Sequence, residues 1–264
     1  MRLCDEPQEN QRMTIVEAIP ILRDNYVWAI HDGQSAVLVD PGDYAPILTW
    51  LARRGITLVA ILVTHHHADH IGGIPGLLSR YSVPVFGPTR GSSPSQPVKD
   101  GETLELPGLE WRMSVMETPG HTLDHVCYVG HGHLFCGDTL FSCGCGRLFE
   151  GSPAEMHASL SRLSSLPGAT QIHCAHEYTL ANISFALEVE PDNPALLARH
   201  DEALKLRKAG KPTLPVYLST ELDTNPFLRC DRENLRVAAA RHCGMPVDTG
   251  VQTFAAIRAW KDEE

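Results

Sequence analysis

Residues 64 to 70 read Thr-His-His-His-Ala-Asp-His and follow directly on the apolar run TLVAILV. In extended backbone, residues two apart share a face, so His65 and His67 reach one ion together. Asp69 and His70 come where the chain should turn into the helix of IGGIPGLLSR, and there they face a second ion close beside the first. Imidazole mixed with carboxylate suits zinc, iron or manganese, whereas calcium takes oxygen ligands alone. Three more candidates end apolar runs of the same kind: His121 in ETPGHTLDH, Asp138 in HLFCGDTLF and His176 in QIHCAHEYT. Strand ends converge on one edge of a sheet, so side chains far apart in sequence meet there. The set is then His65, His67, Asp69, His70, His121, Asp138 and His176. Two divalent ions side by side lower the pKa of a shared water towards ~7, polarise a carbonyl and stabilise the oxyanion that attack creates. The chemistry expected is hydrolysis by that hydroxide, without a serine or cysteine nucleophile.

Such a set needs elements that bring it together. From Ile15 to about Cys174 the chain alternates short apolar runs with turns dense in Gly, Pro, Asp or His. The runs YVWAI, SAVLVD, TLVAILVT, VPVFG, DHVCYVG, HLFCGD and TQIHCAH read as strands, with Gly130, His131 and Gly132 as a hairpin turn. Helical stretches interrupt them at 45–54, 71–80 and 153–166. Sheets covered by helices, in an α/β or α+β sandwich, follow from that order. After Tyr178 the period becomes helical, in LANISFALEVE, PALLARHDEALKLRKAG, RENLRVAAARHCG and VQTFAAIRAWKDEE, with Asp192, Asn193 and Pro194 as one helix start. The domains expected are a polar extension over 1–12, a catalytic domain over 13–178 and a separate, mostly helical piece over 179–264. Apart from the short GSSPSQP loop, no repeat or low-complexity tract stands out.

The remaining composition narrows the function. A chain of 264 residues with 43% hydrophobic and 20% charged residues excludes disordered and fibrous classes. Its formal charge of −10 disfavours nucleic acid as a partner. Apolar runs fall short of the ~20 residues that cross a bilayer, so no membrane role is expected. The acid-bearing opening MRLCDEPQENQR is unlike an export signal, and a cytoplasmic location is expected. Eight cysteines without a Cys-X-X-Cys pair read as buried small hydrophobes, with Cys143 and Cys145 the pair to watch. Of the other histidines, His66 is expected not to be a ligand, and His131 and His133 read as solvated turn residues. Asp40, ending SAVLVD, is expected to support a ligand and not to be one.

The run 64–70, Thr-Pro-Gly-His at 118–121, Gly-Asp at 137–138 and His176 resemble the metallo-β-lactamase superfamily. Asp-Asn-Tyr-Val-Trp at 24–28, Gly-Cys-Gly-Arg-Leu-Phe-Glu-Gly at 144–151, Ala-His-Glu-Tyr-Thr at 175–179, Asn-Pro-Phe-Leu-Arg at 225–229 and Arg-Ala-Trp-Lys-Asp at 258–262 resemble the glyoxalase II, or hydroxyacylglutathione hydrolase, family. The similarity runs from about residue 13 to the end and includes the C-terminal helices. It implies a four-layer αββα sandwich with a C-terminal helical, glutathione-binding domain. It also implies that His65, His67 and His121 hold one ion, that Asp69, His70 and His176 hold the other, and that Asp138 bridges them. The implied ions are two divalent metals, zinc first, with iron or manganese as alternatives. His125, four after His121, resembles a superfamily position near the site and is not expected to be a ligand.

The reaction implied is cleavage of S-D-lactoylglutathione to D-lactate and glutathione, the second step of methylglyoxal detoxification. An all-ligand site suits a thioester, because a thiolate of parent pKa near ~8.5 leaves without a placed acid. Asp69 and Asp138 are the candidate catalytic carboxylates, Asp69 helping to orient the hydroxide. Glutathione carries two carboxylates, so an acidic chain needs local cations for it. Arg147, Arg258 and Lys261 are the candidates, the last two being three apart on one helical face. Tyr178 is the matching aromatic contact. Phe149 departs from relatives with Tyr there and loses any hydroxyl contact, and Arg147 replaces Lys in some. A monomer is expected. The alternatives are an iron-dependent glutathione persulfide dioxygenase of the same superfamily and a non-catalytic metal-binding module.

Overall fold

The protein is described here by a computed structural model covering residues 13–89 and 95–263. The expected extension over 1–12, with Cys4, lies outside the described residues, as does the GSSP part of the polar loop. β1 (Ile15–Ile21), β2 (Asn25–His31) and β3 (Ser35–Val39) form an antiparallel meander. Helix α1 (Tyr44–Arg54) then crosses to β4 (Thr57–Leu62), parallel to β3. The Asp43 side chain caps the start of α1 by accepting from the Ala45 amide, and Gly55 closes it in the left-handed conformation. Two short helices, α2 (Ala68–Ile71) and α3 (Ile74–Leu78), lead to β5 (Val85–Gly87) and β6 (Gln96–Pro97), completing a sheet ordered β1-β2-β3-β4-β5-β6.

The second half begins with β7 (Thr103–Glu105), β8 (Arg112–Glu117), β9 (Val126–Gly130) and β10 (His133–Gly137). A small hairpin of β11 (Leu140–Phe141) and β12 (Gly144–Cys145), then α4 (Pro153–Ser164), lead to β13 (Gln171–Cys174). The remainder is α5 (Thr179–Val189), α6 (Pro194–Lys208), β14 (Val216–Tyr217), α7 (Leu218–Thr224), α8 (Glu233–Cys243) and α9 (Gly250–Asp262). The second sheet is ordered β14-β13-β10-β9-β8-β7.

Alternation along β2 sorts the core into two layers. Tyr26, Trp28 and Ile30 join Met113, Val115, Tyr128 and Phe135 of the second sheet, while Val27 and Ala29 pack with Ile47 and Leu51 of α1 and Leu77 of α3. Ala36 pairs with Leu58 but Val37 with Ala60, so Val59 is an extra residue, a bulge that resets which face of β4 each side chain takes. With α4 and later helices against the second sheet, the architecture is the expected α+β, four-layer αββα sandwich.

Every run read as a strand is one. β8 escaped notice because its buried Met113 and Val115 alternate with exposed Arg112 and Ser114, leaving no dense apolar run. The helix expected over 71–80 is broken at Gly72 and Gly73, where a Cβ on Gly73 would lie 2.4 Å from the Pro41 carbonyl oxygen. The segment after Tyr178 packs onto the rest of the chain: β14 pairs with β13, and Phe185, Phe227 and Phe254 belong to the same core as Tyr128. His131 and His133 are not simply solvated. The His131 ring stacks on Trp111 at 4.7 Å, and His133 is half-buried with Nδ1 2.8 Å from Nε2 of His173. Six of the seven described cysteines are buried and all seven are free thiols. No helix among the described residues is long and apolar enough to cross a membrane.

Candidate metal centre

All seven predicted ligands lie in segments that follow strands of the two sheets. The loop after β4 carries His65 and His67, and α2 directly beyond it carries Asp69 and His70; the β8–β9 loop carries His121; Asp138 follows β10 and His176 follows β13. His67 Nδ1 lies 3.0 Å from Nε2 of His65 and 3.0 Å from Nε2 of His121. A second group forms from Asp69, His70 and His176. There Asp69 Oδ2 is 3.5 Å from His70 Nε2 and 3.4 Å from His176 Nε2. Asp138 lies between the two groups. Its Oδ2 is 3.5 Å from His121 Nε2, and its Oδ1 is 3.4 Å from His70 Nε2 and 3.5 Å from His176 Nε2.

The electrostatics fit a cation. Burial lowers the pKa of His65, His67 and His121, leaving neutral imidazoles with free lone pairs. Burial opposes charge on His70 and His176 too, but Asp138 with Asp40 outweighs it at His70, and Asp138 with Asp69 raises His176 to about 10. Burial would lift the Asp138 carboxyl, yet His70 and His176 hold it well below the usual range. The hydrogen bond from His176 does the same for Asp69. Even so, His70 Nε2 and Asp138 Oδ1 are buried without a hydrogen-bond partner. A divalent ion among these atoms satisfies both, and the mixed N and O donors suit zinc, iron or manganese.

Four of the ligands are aimed from behind. His121 Nδ1 donates to the Arg147 carbonyl oxygen at 2.8 Å, His70 Nδ1 to Asp40 Oδ2 at 3.0 Å and His176 Nδ1 to Asp24 Oδ1 at 2.8 Å. Asp40 also accepts from the Thr64 amide at 2.8 Å and hydroxyl at 2.7 Å, in the supporting place expected of it. The Asn25 side-chain amide donates to Asp69 Oδ2 at 3.0 Å. Such partners fix tautomer and ring orientation. His66 points away, between Asp124 Oδ1 at 3.3 Å and Glu150 Oε1 at 3.4 Å. His125 is buried beside the ligands, its Nε2 accepting from the Asp138 amide at 3.1 Å. Glycine keeps the packing close: a Cβ on Gly146 would lie 1.9 Å from the Asp138 carbonyl oxygen.

Of the expected substrate contacts, Tyr178 stacks on His176 at 4.6 Å, and exposed Phe149 meets His67 and His121 edge-on at 5.5 and 5.3 Å. Arg147 and Arg258 converge on Asp262, whose Oδ1 accepts from Arg147 Nε at 3.0 Å and from an Arg258 terminal nitrogen at 3.1 Å. Arg258 is buried, and its other terminal nitrogen donates to the Cys145 carbonyl oxygen at 3.2 Å. Lys261 lies over the Phe185 ring at 4.7 Å. Asp24, Asn25 and Asp262 were missed as site residues. Asp262 had a signal, four residues after Arg258 on one helix face; Asp24 precedes β2 and Asn25 opens it, where nothing local links them to His176.

Residues 177–264 match the profile described as hydroxyacylglutathione hydrolase C-terminus, and residues 21–94 and 88–176 match that of the metallo-β-lactamase superfamily. The hydroxyacylglutathione hydrolase of Nitrosomonas eutropha is 46% identical over 252 residues, covering 94% of this chain and 99% of its own. That of Xanthomonas campestris pv. campestris is 51% identical over 250 residues, covering 93% and 97%. Among solved structures, BLEG-1 B3 metallo-β-lactamase superposes with a TM-score of 0.63 at 25% identity, over 81% of this chain and 99% of that one. ETHE1 from Myxococcus xanthus does so with 0.57 at 26% identity, over 83% and 100%.

Proposed function

This chain belongs to the hydroxyacylglutathione hydrolase family of the metallo-β-lactamase superfamily, and we propose that it hydrolyses S-D-lactoylglutathione to D-lactate and glutathione at the seven-residue cluster. It is a thioester hydrolase. His65, His67 and His121 would hold one divalent ion, Asp69, His70 and His176 the other, with Asp138 between them and zinc as the occupant. What such a pair supplies is water activation at neutral pH and polarisation of the thioester carbonyl. The observation that carries the assignment is Asp138, with one oxygen towards each group.

The chain's own residues do the rest. Asp24, Asp40 and the Arg147 carbonyl hold His176, His70 and His121 with their Nε2 lone pairs inward. Asn25 holds the Asp69 carboxylate, which is placed to orient the attacking water. Tyr178 and Phe149 flank the opening, and Arg147, Arg258 and Lys261 supply the positive charge for the glutathione carboxylates. A thiolate leaves without a proton donor, in keeping with the absence of an assigned acid. Residues 13–178 then act as the catalytic part and 179–264 as the glutathione-binding part.

Metal-loaded protein given S-D-lactoylglutathione should release thiol and D-lactate in equal amounts without consuming oxygen. Turnover no faster than solvent hydrolysis would sink the proposal, and oxygen uptake on glutathione persulfide with one ion per chain would favour the dioxygenase. A second expectation arises from Asp24. Asp24→Asn should weaken binding of the ion at His176 by about 10-fold, because the amide loses the charge that orients and strengthens the imidazole. Competition with a chromophoric chelator measures it, and an unchanged affinity would remove Asp24 from the account.

A further inference from the structure

We infer that Glu221 is a positioning residue for the metal centre, acting through the β11–β12 hairpin whose buried tip it holds; this rests on the cluster being a metal centre. The hairpin is bracketed by site residues. Asp138 precedes β11 by two positions, and Arg147, whose carbonyl accepts from His121, follows β12 by two. The Gly146 amide donates to the Thr139 carbonyl at 3.3 Å, closing the hairpin base directly beside Asp138. With no space for a side chain at Gly146, a shift of the hairpin is passed to both Asp138 and His121.

The polar backbone at the tip finds its partners on the helical segment. Asn182 of α5 donates to the Ser142 carbonyl at 3.0 Å, and Asn225 donates to those of Phe141 and Gly144 at 3.1 and 2.9 Å. Glu221 of α7, fully buried, accepts from the Ser142 hydroxyl at 2.9 Å, the Cys143 amide at 2.7 Å and the Asn225 side chain at 3.0 Å. It therefore grips the tip directly and aims the asparagine that grips it on either side. Cys143 has φ of +56°, a left-handed conformation that a residue with a side chain keeps only where its surroundings impose it. Burial pushes the Glu221 carboxyl up, and the same three donors counter it. A glutamate that merely fastened the helices to the sheets would not need to grip the one hairpin bracketed by Asp138 and Arg147.

The test is Glu221→Gln, which keeps the shape, removes the charge and replaces one of the two acceptor oxygens with a donor. Zinc held by the full chain is measured by competition with a chromophoric chelator, alongside the visible bands of the cobalt-substituted protein. The dissociation constant of the weaker-held ion should rise about 3- to 10-fold, less than or at the edge of the effect of a direct ligand partner, and the cobalt bands should change. Leu235→Ala, which opens the same core in α8, should lower Tm without changing either readout. Zinc affinity within twofold of the unsubstituted protein, with only Tm reduced, would overturn the inference. If Glu221→Gln does not fold, Asn182→Ala is read by the same criterion. An unsubstituted protein that binds no zinc would instead remove the metal reading, and this inference with it.

Discussion

Asp138→Ala is expected to lower turnover of S-D-lactoylglutathione by about 10³- to 10⁴-fold and bound metal from two ions to at most one per chain. Two features set the size of the loss. Among the described residues the carboxylate is the one acidic group with an oxygen towards each histidine group, so its removal takes a ligand from both. It is also the charge opposite His70 and His176; without it those imidazoles, joined by a dication, have only Asp69, Asp40 and Asp24 to offset them. A thousandfold loss is about 4 kcal/mol of transition-state stabilisation, a size associated with the centre that activates the nucleophile. Parallel elemental analysis and steady-state kinetics measure it. A variant with both ions and more than a tenth of the activity would show that Asp138 does not join the sites, and loss of catalysis with metal fully retained would separate its roles.

Arg258→Met should act on the other half of the reaction, raising KM about 30-fold while kcat at saturating metal stays within about threefold. The guanidinium is 6% exposed at its side chain, so its charge is poorly screened and a carboxylate meeting it interacts strongly. Thirtyfold is about 2 kcal/mol, within the range for one charge-assisted contact. Arg147, 58% exposed, should give only about threefold when changed to Met, because water and salt screen it. Arg258→Met should lower Tm as well, since it leaves the Cys145 carbonyl without that donor. Comparison with Arg258→Lys separates charge from shape: lysine restores charge but not the fork that reaches Cys145 and Asp262 together. Equal KM effects at Arg147 and Arg258 would contradict this ordering by burial.

Much of this was legible in the sequence because ligands sit at strand ends, and strand ends are marked by apolar runs. TLVAILV before Thr64 and HLFCG before Asp138 carry both the element and the residue it delivers. The supporting residues were less legible. Asp24 and His176 are 152 positions apart and meet only because the sheets are stacked with Asn25 bridging to His176. Glu221 reads locally as an ordinary helical acid, and only the fold buries it against a hairpin 78 residues earlier. Arg258 and Lys261 were correctly placed on one helix, but their spacing could not tell that one turns inward to Cys145 and the other lies over Phe185. Periodicity separates buried from exposed; which partner a buried polar atom meets is set by long-range packing.

The central claim is that two ions at one cluster carry thioester hydrolysis, and a metal titration tests it most directly. Metal-free protein receives zinc in fractions of an equivalent while S-D-lactoylglutathione hydrolysis is followed. The rate should rise until two equivalents per chain are bound and then level off. Full activity at one equivalent, or a rate independent of added metal, would contradict it.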